Sequence, residues 1–290
     1  MPPSSDQTGA SQASPLPPRT GHRRRPARAA GRALDALLDA RQALLRSGAA
    51  LDRAAAEAPP RRVAAYGVYA PEGAGAIAAA IAELQRSRHE VDVVLGSLGA
   101  PAPQLRDATA IEHLAAGKLA NLNRLAAHSS PAGADWVLLI DDDVALPSRF
   151  LDRMLVLAER FDLDIFQPAL THTSHTAWPV TRRRPSLLRR TRFVEMGPAV
   201  LMRRDAFAAL TPFPEGGMGW GVCLHWAALA KRHGWKLAIA DAVPVRHDLR
   251  PPASGYDRGA AHAAAAELLR TREHIGWREA GTVLATYRRL

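Results

Sequence analysis

The chain has 290 residues, 47% of them hydrophobic, and a formal net charge of +10, enough for one good-sized core with small additions at its ends. No run of about 18 apolar residues occurs, which excludes a membrane-spanning helix, and the amino terminus lacks the apolar stretch of a secretory leader. The single cysteine, Cys223, excludes an internal disulfide and suits a reducing compartment, so the expectation is a soluble, cytoplasmic protein.

Residues 1–28 are rich in Pro, Ser, Gln and Arg and read as a disordered basic tail. Segment 1–62 holds eleven arginines against five acids, +6 of the net +10, so much of the excess charge lies in a tail rather than a groove. Over 29–58, Leu34, Leu37, Leu38, Leu44, Leu45 and Leu51 recur at helical spacing. That pattern predicts a helix packed on the domain, with a dimer contact or a basic surface touching anionic membrane as alternatives. Pro59-Pro60 then marks a boundary.

From residue 60 to 250 strands and helices alternate. Strands are predicted over 62–70, 90–98, 135–140 and 163–170, and helices over 73–88 and the second part of 111–128. Pro147 suits the first turn of a further helix, in which Phe150, Met154, Leu157 and Phe161 share a face. This order implies an α/β fold with a mostly parallel central sheet and helices on both faces. Residues 251–290 read as a C-terminal helical extension.

The third strand, "DWVLLI", stops at Asp141, Asp142 and Asp143. In open α/β sheets ligands bind beyond the carboxyl ends of strands. Clustered carboxylates there suit Mg²⁺ or Mn²⁺ completed by substrate phosphates; a solvated acidic turn is the equal alternative. A phosphatase of the haloacid dehalogenase kind needs Thr or Val where this chain has Ala145.

Four passages occur in one order: "GKLANLNRL" (117–125), "DWVLLIDDDV", "RFVEMGPAVLMRRDAFAAL" with "PFPE", and "GWGVCLHWAALAKRHGWKLAIADAVPVRH". In this order they resemble the GT-A glycosyltransferases, especially family 2-like bacterial members, across residues 62–250. The resemblance implies a GT-A type nucleotide-diphospho-sugar transferase fold. It implies a metal-dependent enzyme moving a sugar from a nucleoside-diphosphate sugar, UDP-sugar ahead of GDP-sugar, to a hydroxyl acceptor. Asp143 and His247 match metal ligands of the family, and Asp141 the aspartate facing the ribose, with Asp142 between. Lys118 is placed to meet phosphate, as a point charge, or else is a solvated helix residue. Trp220, in the glycine-rich "EGGMGWG", stacks on a sugar or staples the loop.

The sequence departs from the family where inverting members carry their carboxylate base. The base position falls on Gly221 and a later acidic position on Cys223. Glu195, then Glu215, are the remaining candidates; Asp241 reads as a turn residue and His225 as a buried helix residue. The missing acids motivate a competing reading, a degenerate, non-catalytic relative that binds nucleotide or polyanion. His172, His175 and Trp178 read as a polar acceptor-side loop, ahead of a metal site at the paired histidines, which have no acidic neighbours in the sequence. The six arginines over 182–192 read as a solvated loop ahead of a diphosphate, lipid or membrane site. No zinc-finger spacing or RNA-binding motif supports nucleic acid, which stays the weakest reading.

Overall fold

The computed structural model of the chain describes residues 25–250 and 257–290; the tail expected over 1–28 falls almost wholly outside them. Two helices come first, α1 (Arg25–Leu44) and α2 (Ser47–Glu57). The alternating region contains β1 (Arg62–Tyr69), α3 (Ala74–Gln85), β2 (Glu90–Ser97), β3 (Thr109–Ile111), α4 (Lys118–His128), β4 (Trp136–Asp141), α5 (Phe150–Arg160) and β5 (Ile165–Leu170). It continues through β6 (Leu188–Thr191), β7 (Ala199–Arg203), α6 (Arg204–Leu210), α7 (Val222–His233) and β8 (Leu237–Val245). The carboxyl-terminal segment adds α8 (Arg258–Thr271), α9 (Trp277–Ala280) and β9 (Val283–Tyr287).

All nine strands form one sheet in the order β3-β2-β1-β4-β7-β5-β8-β6-β9. Every strand except β7 and β6 runs in the same direction, because β7 pairs antiparallel with β4 and β5, and β6 with β8 and β9. Successive residues of a strand face opposite sides of a sheet, and here both sides are apolar. Val63, Ala65, Leu138 and Ile140 point to the layer of α2, α3 and α5. Ala64, Tyr66, Val137 and Leu139 point to the layer of α4, α6 and α7. Strands buried on both faces have continuous apolar runs, which is why β1 and β4 stand out in the sequence.

The structure corrects four local expectations. The helix expected over 29–58 is two helices, broken at Arg46, whose φ of 51° is left-handed. Leucine spacing continues past the break, so periodicity could not sense it. Pro147 lies ahead of α5 rather than in its first turn; Arg149 (φ 59°) turns the chain into the helix and its N–H donates to Glu83 at 2.6 Å. The C-terminal extension is not all helical, since β9 pairs with β6 at the sheet edge. Asp241 is no turn residue: it lies inside β8, fully buried, and accepts two hydrogen bonds from Arg189, at 2.8 and 2.9 Å, and one from Ser186.

The arginines of 182–192 are correspondingly not a solvated loop. Arg183 and Arg189 are 2% and 1% exposed. Arg189 also donates to the carbonyls of Val180 and Arg182, and so knits the loop after β5 to the sheet.

Candidate functional site

Strand β4 delivers Asp141 at its carboxyl end, and a tight turn presents Asp142 and Asp143. Strand β8 ends nearby, and His247 follows it. A two-bond bridge ties the two exits together: Ala145 N–H donates to the Arg246 carbonyl at 2.8 Å, and Arg246 N–H to the Ala145 carbonyl at 3.1 Å. One ligand atom from each of Asp141, Asp143 and His247 can be chosen so that all lie within 4.8 Å of one another. His247 Nε2 stands 3.2 Å from an Asp143 oxygen.

Adjacent carboxylates repel, and each here meets a basic side chain. Lys118, at the start of α4, donates to Asp141 at 2.5 Å. Asp143 faces His247, with Arg250 Nε 3.8 Å away. Asp142 is buried and turned toward the loop after β1, where it accepts from the Ala70 N–H at 2.8 Å and from Arg250. Asp142 therefore pins the turn, while its two neighbours face one another across it.

Electrostatics follow from these contacts. Burial pushes the Asp143 carboxyl up, but the hydrogen bond and charge of His247, with Arg250 and Lys118, hold it below the usual carboxylate range. Burial alone would lower His247, but the Asp143 hydrogen bond and charge hold it above its ordinary value. Lys118 is raised in the same way, Asp141 and Asp143 outweighing burial. For Asp142 burial dominates and raises the carboxyl, against the Ala70 hydrogen bond and Arg250. Two carboxylates and an imidazole are a donor set that suits Mn²⁺ or Mg²⁺, and Mn²⁺ accepts the nitrogen more readily.

Gly197, in the passage between β6 and β7, makes room for this cluster. A Cβ on it would lie 2.6 Å from an Asp141 oxygen and 3.3 Å from the Lys118 ammonium. Two residues earlier, Glu195 is half-buried; its N–H donates to Gln167 and its carboxylate accepts from Thr176 at 3.3 Å. Burial pushes Glu195 up to about 7, against the pull of His247, Thr176 and Lys118. The charges of His247, Lys118 and Asp141 all reach its carboxyl.

Glu215 is exposed on the glycine-rich loop, outside that group. Trp220, on the same loop, sets its ring against His262 of α8 with centroids 4.6 Å apart. The loop also crosses the start of α4 so closely that a Cβ on Gly117 would lie 2.1 Å from the Gly217 carbonyl oxygen. Gly221 opens α7 at a φ of 85°. Cys223 is buried, with Sγ accepting from the Met196 N–H at 3.1 Å, and burial pushes its thiol up to about 12. Neither residue can serve as a base. His225 bonds the Glu273 carbonyl at 2.7 Å, away from the cluster.

The loop after β5 divides. His172 is held by Asp35 of α1 at 2.8 Å, and Trp178 packs on Phe193. His175 lies beside the cluster instead, donating its N–H to the His247 carbonyl at 2.8 Å, with ring centroids 6.5 Å apart. Sequence reading missed Arg250, Gly197 and this placement of His175. Only Gly197 left a trace, as the glycine of the passage "RFVEMGPAVLMRRDAFAAL".

No protein-family model matches the chain, and no curated protein matches it. Among solved structures, the mannosyltransferase PcManGT from Pyrobaculum calidifontis, in complex with GDP-Man and Mn²⁺, aligns with a TM-score of 0.52 at 16% identity, over 88% of this chain and 79% of that one. GalNAc-T7 with UDP, GalNAc and Mn²⁺ aligns with a TM-score of 0.52 at 10% identity, over 73% of this chain. The match spans about half of that longer protein, 48% of it. The chain has the GT-A glycosyltransferase fold.

Proposed function

We propose that the protein is a metal-dependent glycosyltransferase that moves a sugar from a nucleoside-diphosphate donor to a hydroxyl acceptor. The observation that carries this reading is the convergence of Asp141, Asp143 and His247 beside Lys118, at the carboxyl end of β4 in a GT-A fold. Both similar proteins hold Mn²⁺ and a nucleotide or nucleotide sugar, one with UDP and one with GDP-mannose. Asp143 and His247 would hold the ion, with Asp141 facing both it and the ribose. A divalent ion in that place stabilises the charge that grows on the departing diphosphate. Lys118 adds a fixed positive charge on the same side. UDP-sugars remain the first donors to try.

Glu195 is our candidate base, ahead of Glu215. Its carboxyl sits near neutrality and close to the cluster, and a base works best when its pKa lies near the working pH. An inverting course would use Glu195 in this role.

A donor panel assayed with and without Mn²⁺ tests the reading. Sugar release or transfer from one donor should require Mn²⁺, and Asp143→Ala should lower it by at least about a hundredfold while leaving the thermal melt cooperative. Full activity in that variant removes the metal role from Asp143. One observation favours a second reading, a nucleotide-binding relative without turnover: α7 opens on Gly221 and the buried Cys223 instead of acids. Nucleotide-dependent stabilisation with no transfer across the panel would establish that reading.

A further inference from the structure

Helix α1 turns its polar side to the protein and its apolar side outward. The inner side is Gly31, Asp35, Leu38 and Gln42, of which Leu38 alone is a large apolar residue, 6% exposed. Asp35 holds His172; Gln42 donates to the Asp241 carbonyl at 3.1 Å and accepts from Arg183 at 2.9 Å; Asp39 pairs with Arg183 at 2.7 Å. The outer side carries Ala33, Leu37, Ala40 and Leu44, with Leu34 along one border and Leu45 just past the helix end. Leu37 is 66% and Leu44 83% exposed, Leu34 41% and Leu45 49%. A helix on a soluble domain ordinarily does the reverse.

At about 100° per residue, Arg41 falls on one flank of this outer stripe, between Leu37 and Leu34, and Arg32 on the other, and both are exposed. An apolar stripe with a cation on each flank is the geometry of a helix lying in a lipid interface, its leucines sunk at the acyl boundary and its arginines reaching up to phosphates. No helix of the described residues is long and apolar enough to cross a membrane. We propose that the outer face of α1 docks on an anionic lipid bilayer. Charge selects lipid over a second copy of the chain. A copy would bring Arg32 and Arg41 against like charges, and the acids of α1, Asp35 and Asp39, are already engaged by His172 and Arg183. The eleven arginines against five acids over residues 1–62 favour the same partner. With so few large side chains in the stripe, the apolar contribution is small and the electrostatic one is needed.

The test is co-sedimentation of the full chain with phosphatidylcholine vesicles, with and without phosphatidylglycerol, adding neither donor nor metal. Its outcome is thus independent of the catalytic reading. Binding should appear with phosphatidylglycerol and fall by about tenfold or more in neutral vesicles or high salt. Leu37→Asp/Leu44→Asp should lower it by at least about tenfold with an unchanged melt. Leu44→Asp alone, at the most exposed leucine, serves if the double variant melts early. Wild-type indifference to phosphatidylglycerol, or variant binding equal to wild type, overturns the proposal. So does a wild-type dimer that the leucine variants split, which would give the face to a second copy.

Discussion

Asp141 and Asp143 face one another across a turn whose middle residue looks away. With its carboxyl raised from 4.5 to about 7, Glu195 binds a proton in the folded chain that the unfolded chain releases. Stability then falls as pH rises from about 4.5 to about 7, by at most roughly 3 kcal/mol at 1.36 kcal/mol per unit and less after solvent screening. Glu195→Gln should flatten that slope in urea titrations across pH. If Glu195 is the base, activity should rise with pH through a limb near 7, and Glu195→Gln should lose about a hundredfold or more at the plateau. A variant that keeps the wild-type limb and rate would return the question to Glu215.

The apolar run of β4 made Asp141 and Asp143 legible as strand-end acids where ligands of an α/β sheet bind, whereas His247 joined them only through the resemblance to the GT-A family, and the structure brings the three together. Arg250 was not legible, because its partners Asp142 and Asp143 lie more than a hundred residues back. Nothing local distinguishes it from the chain's many other arginines.

At the scale of elements, the strands that announced themselves are those buried on both faces, and the α/β order followed from them. Asp241 misled for the converse reason. An acid amid an apolar run suggests a turn, unless a guanidinium from another strand meets it. Arg189 of β6 does so, with side chains 1% and 0% exposed. Asp241→Ala should therefore cost about 3–5 kcal/mol, the usual penalty for stranding a buried charge, read as a shift of the denaturant midpoint at constant slope. Replacing both partners with apolar residues should recover a good part of the loss. Gly197 tests the passage between β6 and β7 in another way. A methyl at that position has nowhere to go but into Asp141 or Lys118. Gly197→Ala should weaken Mn²⁺ binding by about tenfold or more, comparable to losing a supporting contact around a metal, while the melt changes little. Unaltered Mn²⁺ affinity would show that the cluster yields without cost.

Across the whole molecule, the carboxyl-terminal segment does more than extend the chain. Its α8 backs the glycine-rich loop, Ala264 lying under Gly217 and Leu269 against Gly221, and β9 covers the outer edge of β6. Sequence reading could count the helix but not place it, because alanine-rich helices carry little pattern to say what they cover. The opposite ends of the strands hold a cleft of about 370 Å³ lined by Arg61, Trp136, Glu159 and Arg203. There Arg61 pairs with Glu159 and Arg203 lies over the Trp136 ring at 5.0 Å, so its charges serve the fold.

The bridge between Ala145 and Arg246 separates two events that many small metalloproteins fuse. Peptide hydrogen bonds hold the aspartate turn to the strand exit bearing His247, so the backbone fastens the two sides of the cluster without calling on an ion. Stripping divalent ions with a chelator should leave the circular dichroism spectrum and a single cooperative melt intact. Adding Mn²⁺ should raise the midpoint only as mass action dictates, about 2.7 kcal/mol at a hundred times Kd. Unfolding on chelation would mean that the clasp is too weak to stand alone. An intact melt would mean that the chain can exchange its ion, or wait for one to arrive with a nucleotide, without ever losing its shape.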